Sequence, residues 1–289
     1  MKLRDLALVL LINLIWGLTF IAGKIGLGEL PPVWFTGLRF AILLVALAPM
    51  LRIVPQQMPR ILAVALFSGA LHFSLMYSAL KLAADVSTVA IVSQLALPLA
   101  VILAVVMLRE RISLLRLLGM VAAFAGVVVI GFDARVFGYI AAVLLVIAAC
   151  LSMAFAQILM RGLRNVGVFN LRAWVALVSA PILLLLSLGL ETGQVQAMRD
   201  ASPLAWAALA YTAIGSSLIG FGGMYYLLKR YPVSLVTPLF LLAPIFAVIA
   251  GITLLGDVIT LRMMVGTVVT LAGVLVITLA RNLSPGASA

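Results

Sequence analysis

Charge is what this chain has least of. Only 9% of its 289 residues are Asp, Glu, Lys or Arg, while 66% are hydrophobic. A soluble chain carries about a quarter charged residues, so a water-soluble globular domain is excluded. Acids are the scarcer sign, with eight Asp and Glu against 19 Lys and Arg and a net charge of +11. Clustered, that excess would suit nucleic acid. Here the basic residues are dealt out one or two at a time between apolar runs, which is the pattern of membrane-topology determinants, and no nucleic-acid partner is expected. Cysteine is almost absent. The single Cys150 excludes an intramolecular disulfide and leaves the redox compartment unread. No metal site, cofactor or catalytic chemistry is expected.

The apolar runs predict an all-α polytopic membrane protein, because only helices satisfy their own backbone groups in hydrocarbon. Ten spans of roughly 20 residues are expected, at 5–27, 33–51, 61–81, 86–108, 114–132, 137–160, 168–190, 203–228, 233–255 and 260–281. Pro31-Pro32, Pro55 to Pro59, Ser202-Pro203 and Tyr231-Pro232 mark breaks between them. Lys2 and Arg4 ahead of an apolar run resemble a signal peptide. That run continues to about Leu27 without a small-residue cleavage site, so it reads as the first span. With the N-terminus inside, the cytoplasmic loops and span ends hold 13 of the 19 basic residues, among them Arg52, Arg60, Arg109, Arg111, Arg161, Arg172, Lys229 and Arg281. The other side holds six of the eight acids: Glu29, Asp85, Asp133, Glu191, Asp200 and Asp257. Both termini are therefore expected in the cytoplasm.

The chain also states part of itself twice. Met76-Tyr-Ser-Ala-Leu-Lys81 returns as Met224-Tyr-Tyr-Leu-Leu-Lys229, and Ser87, Glu110, Gly119 and Gly126 return 147 positions later as Ser234, Asp257, Gly266 and Gly273. Seven of 13 positions match between Gly119–Gly131 and Gly266–Thr278. Pro98 and Pro244 stand before the two acids, one position out of register. This is an internal duplication, with a first unit over 1–134 and a second over 135–289. Five spans per unit is an odd number, so the units enter the membrane with opposite orientation. Inverted repeats of this kind build secondary transporters whose site lies near the midplane.

These motifs together resemble the EamA-type branch of the drug/metabolite transporter superfamily. Trp16-Gly17 followed by Lys24, then Leu38-Arg39-Phe40, then the Pro98…Glu110-Arg111…Gly119…Gly126 and Pro244…Asp257…Gly266…Gly273 series carry the resemblance, which covers about residues 4 to 281. The second half departs from it: Met153-Ala154 stands where Trp-Gly is expected, Arg161 replaces the lysine, and no arginine matches Arg39. The resemblance implies an exporter of the bacterial inner membrane, whose relatives move amino acids and related metabolites.

A transport site needs polar groups where hydrocarbon disfavours them. Asn13, Trp16, Lys24, Arg39, His72, Tyr77, Gln94, Gln157 and Tyr225 are the candidates for contacting substrate. His72 is the single histidine, in the middle of span three, and either contacts substrate, moves a proton or bonds a neighbouring helix. Lys24 either attracts a carboxylate or snorkels to the interface. Arg39 lies deeper and either binds substrate or makes a structural pair. Trp174 and Tyr211 read as cavity-lining groups or interfacial anchors. Pro98 and Pro244 interrupt spans four and nine as hinges or static kinks. Gly119, Gly126 and their echoes read as packing faces.

No Asp or Glu lies deep in any span, which argues against proton-for-cation drug exchange. The expected function is export of amino acids or similar small metabolites by alternating access. Drug, nucleoside or sugar export within the same superfamily is the alternative, with a lipid scramblase or an intramembrane protease further off. For the protease, Gly215-Ser216-Ser217-Leu218 lacks the final glycine of a Gly-x-Ser-Gly motif. The expected partners are a small-molecule substrate and the lipid bilayer, with the chain acting as a monomer or a homodimer.

Overall fold

A computed structural model describes residues 1–109, 112–228, 230–231 and 236–280. Glu110, Arg111, Lys229, Pro232, Ser234 and Arg281 lie outside the described residues. Among the described residues every regular element is helical. Among those residues nine helices are long and apolar enough to cross a bilayer: α1 (Leu3–Glu29), α2 (Pro32–Met50), α3 (Pro55–Leu82), α4 (Val86–Leu108), α5 (Leu114–Gly131), α6 (Ile140–Arg161), α7 (Val168–Leu190), α8 (Pro203–Leu227) and, after a shorter apolar helix α9 (Leu239–Leu255), α10 (Leu261–Ala280). The ninth expected span thus corresponds to a described helix shorter than the rest. Two short helices, Ala134–Phe137 and Gln194–Asp200, occupy loops that the apolar pattern left blank.

Helix starts follow from local chemistry. Pro32 and Pro203 stand in the first turns of α2 and α8, where a missing N–H costs nothing. Asp85, Ser113 and Ser202 cap α4, α5 and α8 by accepting backbone N–H bonds from Thr88, Arg116 and Ala205. Prolines further in break the regular ladder. A 3₁₀ stretch Ser93–Leu95 precedes Pro98, and another, Thr237–Leu241, precedes Pro244. A proline ring clashes with the carbonyl four residues back and removes one ladder bond, which places the disturbance at these positions.

The fourth helix of each half ends alike. Arg109 leaves α4 with φ 54° and Gly256 leaves α9 with φ 72°, positions 147 apart. The repeat also appears in packing. A Cβ on Gly119 would lie 2.9 Å from the carbonyl of Gly273, and one on Gly126 would lie 2.6 Å from that of Gly266. Residue numbers rise on α5 as they fall on α10, so the two helices cross antiparallel, backbone against backbone. Small residues permit that approach, and close van der Waals packing is what holds helices together in lipid. The outward faces of the pair, including Leu117, Leu118, Val121, Val265 and Val268, remain exposed and apolar, as a lipid boundary requires.

Acidic side chains tie one end of the bundle together, and most do so at helix starts. Glu191, just after α7, accepts N–H bonds from Val33 and Trp34 at 2.9 Å each. Asp257, just after α9, accepts from the backbone of Val86 and Ser87 (3.0 and 2.9 Å) and from the Ser87 hydroxyl. Glu29 accepts from the backbone and hydroxyl of Ser202. Asp133 accepts from the hydroxyl of Thr260 and from the Arg135 N–H. A carboxylate suits the partial positive charge of a helix N-terminus, and bonds to an ionised group contribute about 1.5–3 kcal/mol each. These four are among the six acids expected above on the outer side.

Candidate functional site

Three helices are wider than an α-helix over part of their length. π-helical turns occupy Leu66–Leu71 in α3, Tyr211–Gly220 in α8 and Gly251–Leu255 in α9. Advancing 66–71 by the 147-residue repeat gives 213–218, inside the α8 segment. Such turns shift carbonyls out of their usual ladder and are frequent at functional sites. Donors from other helices use those carbonyls here. Ser152 Oγ donates to Phe67 O at 2.7 Å, Arg39 Nε to Thr212 O at 3.0 Å and Trp16 Nε1 to Ser216 O at 3.4 Å.

Arg39 is the centre of this arrangement. It is 2% exposed and among the largest fully buried side chains of the protein. An arginine at mid-helix costs about 2.5–3.5 kcal/mol on insertion scales. Its guanidinium lies 4.2 Å from the Phe73 ring centroid and also near the rings of Phe40 and Tyr77. A desolvated cation–π contact contributes about 2 kcal/mol, and the Thr212 carbonyl and Ser217 hydroxyl accept from Nε and Nη2. These contacts offset the insertion cost. Nη1 is nevertheless buried with no hydrogen-bond partner.

The surroundings are aromatic. His72 lies edge-on to Phe73 at 4.7 Å, with Nδ1 on the Ala149 carbonyl at 2.8 Å. Tyr77 stacks beside Phe73 and meets Phe35 edge-on. Trp16 packs against Phe221 at 5.4 Å and Phe240 at 5.1 Å. Gly220 makes room for its ring, since a Cβ there would fall 2.3 Å from Nε1. Arg172, in the second turn of α7, places its guanidinium 3.7 Å from the Phe221 centroid.

Of the sequence candidates, Trp16 and Arg39 therefore reach the π-turn of α8, and His72 and Tyr77 lie beside Arg39 around the Phe73 ring. The others lie elsewhere or bond locally. Lys24 Nζ donates to the carbonyls of Leu80 and Ala83, closing the C-terminus of α3. Asn13 is buried and donates to Val9 O on its own helix, leaving its Oδ1 without a partner. Gln94 contacts Ala90 and Ser93 within its own kinked turn. Gln157 and Tyr225 are half-buried on α6 and α8. Trp174 donates to the Arg52 carbonyl at a helix end, as an anchor does, and Tyr211 donates to Ile15 O. Arg172, Phe221, Phe240 and Ser217 were missed. Arg172 reads as one more basic residue at a cytoplasmic span end, and phenylalanines in apolar spans carry no signal of their own.

Two cavities flank this centre. One of about 570 Å³ is lined by Arg4, Asp5, Leu8, Leu11, Gly222 and Tyr226. The other, of about 390 Å³ at the opposite end, is lined by Asp85, Arg135, Tyr139, Gly256 and Asp257. In the second, Tyr139 donates to the Asp85 carboxylate.

A model of the EamA-like transporter family matches residues 4–132 and again residues 140–279. Over 284 residues the chain is 30% identical to a Salmonella typhimurium protein named "Probable amino-acid metabolite efflux pump", covering 94% of each. It is 26% identical to an Escherichia coli protein of the same name, again covering 94% of each. An uncharacterized transporter of Archaeoglobus fulgidus is 28% identical, over 91% of this chain and 94% of its own. A solved crystal structure superposes with a TM-score of 0.64 at 21% identity, covering 98% of this chain and all of the other, which establishes a shared fold.

Proposed function

The chain belongs to the EamA-like transporter family, and from that premise we propose that it exports amino acids or similar small metabolites across the inner membrane by alternating access. Ten helices form two halves of five, residues 1–134 and 135–289, inserted with opposite orientation and with both termini in the cytoplasm. The antiparallel crossing of α5 and α10, built from equivalent glycines, supports that reading. Arg39, His72, Trp16 and Tyr77 contact the solute, and Pro98 and Pro244 bend as the halves exchange conformations. Solute passage rather than covalent chemistry is the activity.

The observation that carries the proposal is Arg39. A first-half cation reaches a second-half π-turn and keeps one N–H group buried and unpartnered. A buried donor without a partner costs about 1–3 kcal/mol, more when charged, which a passing solute group would relieve. Counterflow in proteoliposomes with a panel of labelled amino acids and related metabolites tests this. Saturable exchange with competition between related solutes is the expected result. Absence of exchange for the whole panel, with protein shown to be folded, overturns it.

A further inference from the structure

Among the described residues, positive charge in the interior has no negative counterpart. Every described acid is at a helix end or in a loop: Asp5, Glu29, Asp85, Asp133, Glu191, Asp200 and Asp257. Among the described residues, neither Arg39 nor Arg172 makes an ion pair, whereas Arg4 and Asp5 form one near the start of α1. Both guanidiniums rest on aromatic rings, the buried Arg39 on Phe73 and the half-buried Arg172 on Phe221. The same pairing continues towards the end of the bundle read as cytoplasmic. Arg230 lies over the Tyr226 ring, and Arg4 donates to the Tyr226 hydroxyl beside the 570 Å³ cavity. Cations on aromatic faces thus lead from that cavity to the centre.

The Thr212, Ser216 and Ala149 carbonyls at the centre receive Arg39, Trp16 and His72. An amino acid's ammonium would meet two guanidiniums and no carboxylate. Like charges in a low-dielectric interior repel far more strongly than in water. A carboxylate, in contrast, would satisfy Arg39 Nη1 and neutralise part of the cluster.

We infer that this site takes an organic monoanion, a carboxylate with an apolar or aromatic body and no free ammonium, and that its export is driven by the membrane potential. The inference rests on the transport reading and selects, among the small metabolites it allows, anions over zwitterionic amino acids. An inside-negative potential expels an anion without any coupled proton, and about 60 mV shifts the equilibrium distribution of a single charge roughly tenfold.

The test uses the full chain in proteoliposomes loaded with labelled N-acetyl-L-phenylalanine or L-phenylalanine, at zero potential and at an inside-negative potassium diffusion potential. The expected result is N-acetylphenylalanine efflux at least about tenfold faster than phenylalanine efflux, and accelerated by the potential. Arg172→Gln should lower that efflux about tenfold, the effect of one lost charged contact of about 1.4 kcal/mol. Arg172 donates no described hydrogen bond, so this variant should fold; Arg39→Lys, which keeps the charge, should retain more flux than Arg39→Gln. Phenylalanine exchange that equals or exceeds N-acetylphenylalanine exchange, indifferent to potential, overturns the anion inference and leaves the transport reading standing. Exchange of neither compound, in vesicles that exchange another solute of the panel, overturns it likewise.

Discussion

Polar side chains in this interior divide by what they bond. Asn13 ends on the turn below it, and Lys24 crosses from α1 to two carbonyls at the end of α3, so each is accounted for largely by helix ends and ladders. His72 differs, because its ring reaches across to Ala149 on α6 and faces Phe73 beside Arg39. Replacing His72 with Ala should therefore lower counterflow about tenfold, the loss of one hydrogen bond to solute of about 1.4 kcal/mol, while leaving membrane insertion intact. Flux at the wild-type level in a folded variant would remove His72 from the site. Its visibility in the sequence came from being a lone imidazole in an apolar run. Arg172 had no such contrast, since it stands one turn from a basic helix end and only the fold turns it towards Phe221.

Helix pairs carry the next level. Gly126 lies against the backbone of α10, and a methyl group there would fall 2.5 Å from the Thr270 nitrogen and 2.6 Å from the Gly266 oxygen. Backbone cannot rotate aside, so Gly126→Ala should destabilise by about 1–3 kcal/mol, seen as a lower melting temperature in detergent. Gly131 on the same helix has nothing within 4 Å and serves as the control: Gly131→Ala should be neutral or slightly stabilising. Equal losses for both would mean that the α5–α10 contact does not limit stability. Pro98 makes a different prediction. Pro98→Ala restores a ladder bond across Ser93–Leu95 and should slow exchange between outward- and inward-facing states. Unchanged cysteine-accessibility rates would leave a static kink. Glycine spacing and the two prolines were legible because repeats and helix breakers are sequence properties. The π-turns were not, since no periodicity marks a single inserted residue.

At the scale of the whole molecule, carboxylates bind together one end of the bundle. Hydrogen bonds from Thr260 and the Arg135 N–H hold the Asp133 carboxyl below its ordinary value of 3.8. A carboxyl lowered in the folded state adds stability that is fully present above that ordinary value and is lost as pH falls through the lower folded one. Asp133→Asn should thus melt at a lower temperature than wild type at pH 7, and the two should converge as pH falls below 3.8. A gap of the same size at both extremes would show that the bond to Thr260 is maintained without the charge. Orientation is tested separately: a reporter that works only in the cytoplasm, fused at the C-terminus, should be active.

The sequence by itself determined the apolar spans, the loop charges and the duplication, because hydropathy, charge bias and repetition are written residue by residue and need no partner to be read. It also singled out Arg39, His72, Trp16 and Tyr77, since each contrasts with its neighbours. Only the tertiary structure brought Trp16 and Arg39 to the α8 π-turn with His72 and Tyr77 around Phe73, had Lys24 close a helix end instead, and seated Arg172 on Phe221. Those outcomes depend on which helices cross at which depth. Crossing is set by small residues, π-turns and buried hydrogen bonds acting between segments far apart in the chain, where no local pattern reaches.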